Sequence, residues 1–213
     1  TIASHQLRTP ISGIRWSLDT VLSGKAGKLT EKQREIIQEA YQNNNFLVKA
    51  VNDLLRAARL EEKGVVLKPE AVNINKMVKE LVEKNQNFAK AFNCNIKLKA
   101  DKSLPNAFVD QLQTRQIIES LIDNSIRYSQ KTCGIEITLK KAKDYLIFTI
   151  KDTGIGIPID EQERVFTRFY RGSNAIKSQT EGIGLDLYLN KNIIEASGGK
   201  IKFRSTENVG TTF

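Results

Sequence analysis

The chain of 213 residues holds a single histidine, in the run Ser4-His5-Gln6-Leu7-Arg8-Thr9-Pro10. If this run is helical at about 100° per residue, Leu7, Ile11, Ile14, Leu18, Val21 and Leu22 form one apolar stripe, and His5 sits roughly 150° away from it. The spacing therefore predicts an imidazole facing solvent. With an ordinary pKa of about 6.5 such a ring is largely neutral at physiological pH, and its bare nitrogen can attack an electrophile. Pro10 cannot donate to the carbonyl of Gln6, so a slight kink is expected one turn below His5.

The second half of the chain supplies groups suited to a phosphorylated nucleotide. A helix expected from about residue 110 to 128 has its apolar face at Ile118, Leu121, Ile122 and Ile126, with Ile117 at the margin. Ser120, Asn124 and Arg127 form a separate stripe. An amide oxygen there can enter the oxygen-only shell of Mg²⁺, and a guanidinium one turn later can meet phosphate oxygens bidentately. Residues 145–151 alternate like a strand, and Asp152-Thr153-Gly154-Ile155-Gly156-Ile157-Pro158 follows. A carboxylate at a strand end, backed by flexible glycines, can accept a hydrogen bond from an exocyclic amine, and should reject guanine, which presents a carbonyl there. Residues 171–181 are polar and lack any apolar period, which predicts a mobile loop.

Six segments taken together resemble the boxes of bacterial sensor histidine kinases. The opening Ser4-His5-Gln6-Leu7-Arg8-Thr9-Pro10 resembles the H box. Glu119 through Ser129 resembles the N box, Asp152 through Pro158 the G1 box, Phe166-Thr167-Arg168-Phe169-Tyr170-Arg171 the F box, and Gly182-Ile183-Gly184-Leu185-Asp186-Leu187 the G2 box. The closing Gly210-Thr211-Thr212-Phe213 resembles the last glycine box, so the likeness spans essentially the whole chain. It implies ATP and Mg²⁺ as cofactors, His5 as phosphoacceptor, Asn124 on the metal, and Arg127 and Arg171 on phosphates. It further implies Asp152 on the adenine amino group, with Tyr128, Gly154, Gly156, Tyr170, Gly182, Gly184, Leu185 and Thr211 around the nucleotide. Residues 171–181 become a nucleotide lid, Arg168 a surface or ion-pair residue, and Thr9 the position linked to dephosphorylating the partner. Two positions depart from the family pattern. Ser120 stands where an asparagine is usual, and Gln6 where an acidic residue usually accepts the imidazole proton.

Periodicity divides the chain into a helical part at residues 1–62, a linker at 63–69 and a mixed part at 70–213, which the resemblance makes a dimerisation and histidine phosphotransfer domain and a catalytic ATP-binding domain. A second helix is expected to begin at Thr30, with Gln33 completing a capping box. Two helices with one apolar stripe each cannot close a core, so a homodimer forming a four-helix bundle is expected. Beyond the linker, helices near 75–92, 110–128 and 185–196 and strands near 95–100, 135–151 and after 200 predict an α+β fold. The resemblance makes it an α/β-sandwich ATPase domain of the Bergerat (GHKL) type.

The formal charge is +9, from 33 basic and 24 acidic residues, but it is diffuse and lacks a dense basic block or aromatic platforms. A nucleic-acid partner is therefore not expected. A response regulator receiver domain is, with membrane attachment only through a part preceding Thr1. No apolar run approaches the roughly 18 residues of a membrane span, which predicts a cytoplasmic protein or the cytoplasmic part of a membrane-bound sensor. Cys94 and Cys133 match no metal or redox spacing, so free thiols are expected. Against an autophosphorylating kinase that passes its phosphoryl group to an aspartate stand two rivals. Gln6 and Ser120 favour an ATP-binding pseudokinase or regulator phosphatase with weak autokinase activity, and the charge favours a nucleic-acid-dependent ATPase.

Overall fold

The computed structural model describes residues 2–101, 103–130, 133–178 and 182–213, the side chains of residues 2–5, 7 and 8 excepted. The chain divides into two compact units, residues 1–64 with 181–185, and residues 65–180 with 186–213.

In the helical unit α1 (Ile2–Leu22) packs along α2 (Glu31–Lys63). Thr30 starts α2 as the sequence predicts: its hydroxyl accepts the Gln33 N–H at 3.3 Å, and the Gln33 side chain accepts the Thr30 N–H at 3.0 Å. Such a box satisfies two of the donors that a helix start leaves orphaned. Gly64, at φ 70°, ends α2 by donating to the carbonyl of Leu60. The buried residues of α2 are Asn44, Asp53 and Ala57. Asn44 donates to the carbonyl of Ile11 at 3.3 Å, pinning the two helices together next to Pro10. Among the described residues no large aliphatic side chain of the hairpin is buried, and Ile14, Trp16, Ile36, Leu47 and Leu54 are exposed.

The second unit is a five-stranded sheet in the order β2-β4-β5-β7-β6. Its strands are β2 (Cys94–Ala100), β4 (Cys133–Ala142), β5 (Tyr145–Asp152), β6 (Arg204–Thr206) and β7 (Gly210–Thr212), with β2 and β4 parallel and the other pairs antiparallel. Helices α3 (Ile74–Ala91), α4 (Gln111–Arg127) and α6 (Asp186–Ala196) contribute to one core on one side of it. Ile96, Ile135, Ile137, Leu139 and Ile150 meet Val78, Leu81, Ile118, Leu121, Ile122, Ile126 and Ile193 there. Each such side chain, once fully buried, contributes about 1.5–3 kcal/mol. The alternate residues Asn95, Lys97, Glu136 and Lys151 face away from the core, as a half-buried sheet requires. The α4 stripe is as the period demands, with Ile117 through Ile126 inward and Ser120, Asn124 and Arg127 half-buried.

Three features depart from the sequence expectation. Two four-residue strands, β1 (Pro69–Val72) and β3 (Ala107–Asp110), pair antiparallel as a separate ribbon. The polar stretch after Tyr170, expected to be a loop, contains the short helix α5 (Ser173–Ser178). Cys94 and Cys133, expected to be free thiols, form a disulfide: they are the first register pair of β2 and β4, with Cα atoms 4.3 Å apart. A parallel register joins residues 39 apart in sequence, a relation that no local spacing encodes.

Candidate functional site

Asp152 ends β5 and is only 8% exposed. Its Oδ1 accepts the backbone N–H groups of Gly154 at 2.9 Å and Thr211 at 3.0 Å, and its Oδ2 accepts the Ser125 hydroxyl at 3.4 Å. Burial pushes the carboxyl above the usual range, and these three hydrogen bonds pull the other way. An ionised carboxylate offers about four lone-pair sites. Oδ2, with one long bond, therefore keeps capacity for an N–H donor such as the exocyclic amine of a planar base.

The turn after Asp152 is built for close approach. A Cβ on Gly154 would lie 2.5 Å from the Tyr128 carbonyl oxygen and 2.9 Å from Asp152 Oδ1. Gly156 sits at φ 64° with the Thr206 carbonyl where its Cβ would be, so only glycine fits. Ile155 N–H donates to the Tyr128 carbonyl at 2.9 Å, and Asn208 N–H donates to the Ile155 carbonyl at 2.7 Å. Gln130 spans the same place, its amide donating to the carbonyls of Gly154 and Asn208 at 3.4 Å each. On the far side Gly134 N–H donates to Thr153 Oγ1 at 3.0 Å.

On α4, Asn124 is half-buried, and among the described residues its side-chain amide has no hydrogen-bond partner. Ser120 accepts from Asn190 of α6 at 3.2 Å, so a serine at this position joins two helices. Arg127 donates through Nε to both Asp123 oxygens at 2.9 Å and stacks over Phe88 at 5.7 Å. Among the described residues no group of three His, Cys, Asp or Glu could hold a metal. A divalent cation here would rest on the Asn124 oxygen and on oxygens of its ligand, which suits Mg²⁺, an ion bound through few protein groups and substrate phosphates.

The segment before α5 is fastened at several points. Arg164 lies 4.5 Å over the Tyr170 ring, and the Tyr170 hydroxyl bonds to Glu161. Burial and that carboxylate push the Tyr170 hydroxyl above its usual range. Glu161 also accepts the Ser173 N–H at 3.0 and 3.3 Å, and its bonds from Ser173 hold its carboxyl below the usual range. The Asn174 amide donates to the Gly156 carbonyl at 2.9 Å and the Ile155 carbonyl at 3.4 Å, tying α5 to the Asp152 turn. Arg171 is half-buried, and exposed Arg168 lies 5.3 Å over Phe169, whose φ is 62°.

The structure thus brings Asp152, Gly154, Gly156, Thr211, Tyr128 and the Tyr170 segment into one bonded cluster. Gly182 and Gly184, at φ 131° and 70°, and buried Leu185 group with the helical unit instead. Gln6 and Thr9 are exposed on α1. His5 lies within the α1 span, and its side chain is outside the described residues, as are Gln179, Thr180 and Glu181 of the expected loop. Sequence reasoning missed Ser125, Gln130, Glu161, Asn174 and Asn190. Only Ser125 carries a local signal, being a polar residue one position off the Asn124 stripe on the buried side of its helix.

Residues 109–213 match the family described as histidine kinase-, DNA gyrase B-, and HSP90-like ATPase. Residues 1–63 match the His Kinase A (phospho-acceptor) domain. The circadian input-output histidine kinase CikA of Synechococcus elongatus is 31% identical over 99% of this chain and 28% of its own length. The sensor protein KdpD of Clostridium acetobutylicum is 30% identical over 99% of this chain and 23% of its own. The chain therefore spans about a quarter of these relatives. Among solved structures, full-length ShkA in complex with AMPPNP superimposes with a TM-score of 0.80 at 26% identity, over all of this chain and 43% of that one. The Acinetobacter baumannii histidine kinase AdeS shares the fold at a TM-score of 0.68 and 22% identity, over 98% of this chain and 94% of its own.

Proposed function

The chain belongs to the two-component sensor histidine kinases, and on that premise we propose that it transfers the γ-phosphoryl group of ATP to His5 and then to an aspartate of a response regulator. The observation that carries the proposal is the Asp152 carboxylate, buried at a strand end, with spare acceptor capacity and a glycine turn drawn against it. Asp152 reads the adenine amino group, and Ser125 and Thr211 hold the carboxylate in place for it. Asn124 would hold Mg²⁺, which would neutralise charge on the phosphates. Arg127, oriented by Asp123, and Arg171 meet phosphate oxygens. The attacking nitrogen of His5 forms an N–P bond as the bond between the γ-phosphorus and the bridging oxygen of ADP breaks, chemistry that rests mainly on positioning and charge stabilisation. Gln6, an amide beside His5, cannot take up the imidazole proton.

The open apolar face of the α1–α2 hairpin supports a homodimer in which two hairpins share one core. We place this catalytic core in the cytoplasm on its family membership, and among the described residues no helix is long and apolar enough to cross a membrane. Gln6 favours one second reading, a regulator phosphatase with weak autokinase activity, in which Thr9 and Gln6 place the attacking water. Incubation with γ-labelled ATP tests the proposal. Acid-labile, base-stable label is expected on the wild type and none on His5→Ala, which still binds ATP. Label surviving in His5→Ala overturns the acceptor, and unlabelled wild type leaves the phosphatase.

A further inference from the structure

The connection between α4 and β4 touches the base-reading turn at both ends. At its start the Tyr128 carbonyl accepts Ile155 N–H, and Ser129 bridges Gly154. At its finish Gly134 N–H donates to Thr153 Oγ1. The residue just before Gly134 is Cys133, bonded to Cys94 of the edge strand β2, and these are the protein's two cysteines. The disulfide therefore anchors the Gly134 end of the shelf on which residues 153–155 rest. Both sulfurs belong to the first residue of a strand and both residues are buried, at 4% and 7% exposure, so exchange must pass through opening of the first ladder pair. In a reducing compartment the disulfides that do form are usually transient and redox-sensing.

We propose that Cys94 and Cys133 form a reversible disulfide that sets the nucleotide affinity of the Asp152 turn, closed and opened by exchange with a small thiol–disulfide couple of the glutathione class. In closing, one cysteine thiolate attacks the partner's disulfide and releases the first partner thiol. The second cysteine thiolate then attacks the mixed disulfide and releases the other. The two protein thiols are oxidised to one disulfide, and the partner's disulfide is reduced to two thiols. Closed, the shelf is ordered before ATP arrives, and binding no longer has to order it. The ATP dissociation constant is then expected to be on the order of three- to tenfold lower in the oxidised form.

This deepens the nucleotide-site reading and rests on it. The chain is equilibrated with reduced and oxidised glutathione in graded ratios, quenched in acid and alkylated, and the Cys94–Cys133 peptide pair is quantified by mass spectrometry. ATP titration calorimetry and amide hydrogen exchange over residues 124–134 and 150–158 follow on each form. Expected are a disulfide that forms within the glutathione range, slower exchange in both segments when it is closed, and tighter ATP binding. Thiols that remain fully alkylated at every ratio overturn the proposal, as do two forms that bind ATP equally. Failure of both forms to bind ATP would instead overturn the nucleotide reading itself, and control of affinity with it. The Cys94→Ala/Cys133→Ala variant should behave as the reduced form at every ratio, and the wild-type comparison stands alone if that variant does not fold.

Discussion

Replacing Asp152 with Asn separates what the carboxylate does for the ligand from what it costs the fold. The amide is nearly isosteric. Its oxygen can still accept from Gly154 and Thr211, and its nitrogen can donate to the Ser125 hydroxyl in place of the present bond. What disappears is the charged acceptor that the proposal assigns to the adenine amine. Hydrogen bonds to charged groups contribute about 1.5–3 kcal/mol, so the ATP dissociation constant should rise roughly 10- to 100-fold. The preference for ATP over GTP should shrink as well, because the amide nitrogen can donate to a guanine carbonyl. The fold should respond in the opposite sense. The folded carboxyl titrates above its ordinary 3.8, so between that value and its folded pKa the native state binds more protons than the unfolded one. Stability then falls as pH rises through that window, and at neutral pH the ionised Asp152 is a net cost that Asn removes. A gain of about 1 kcal/mol would raise the unfolding midpoint of a domain this size by about 3 °C. Calorimetric titration with ATP and GTP and scanning calorimetry at neutral pH measure both effects. Unchanged ATP affinity, or a midpoint that falls, would refute the account of Asp152.

Gln6→Glu should raise the single-turnover rate of His5 labelling at saturating ATP by roughly tenfold or more, about 1.4 kcal/mol off the barrier, with little change in ATP affinity; equal rates would mean that another group serves as base or that chemistry is not limiting. Asn124→Ala should weaken ATP binding in Mg²⁺ far more than in EDTA, because an oxygen ligand for the metal is lost, and equal losses in titrations under both conditions would make Asn124 structural. Glu161→Ala removes the acceptor for Ser173 and Tyr170, so limited trypsin digestion should cut after Arg171 and Lys177 several-fold faster, with the unfolding midpoint nearly unchanged. Wild-type digestion rates would show that Asn174 and Arg164 suffice.

The parts of the fold that could be read from the sequence are those specified within one turn or one strand. The capping box of Thr30 and Gln33, the apolar face from Ile117 to Ile126 and the alternation ahead of Asp152 each follow from a local period. The glycines of the Asp152 turn were legible by position, but not their neighbours: the close approaches come from Tyr128 and Thr206, which pairing and chain reversal deliver. Helix α5 was missed because its six residues have no apolar period and are fastened from outside, by Glu161 to Ser173 and by the Ile155 and Gly156 carbonyls to Asn174. The β1–β3 ribbon and the Cys94–Cys133 bond were missed for a related reason, since each joins residues about 40 apart through a register that exists only in the folded sheet.

Strand β2 lies at an edge of its sheet, and an edge strand offers unpaired backbone groups to any other chain it meets. Here the edge is seven residues long and alternates Ile96 and Leu98 with Asn95, Lys97 and Lys99. Lysines on an edge repel a second copy of the same strand and are costly to bury against it. In the proposed homodimer, which holds two copies together, these lysines guard the sheet unit against growing into strand-paired aggregates. The same positive charge that looks like a nucleic-acid signature in the composition acts, at this edge, as protection against misassembly.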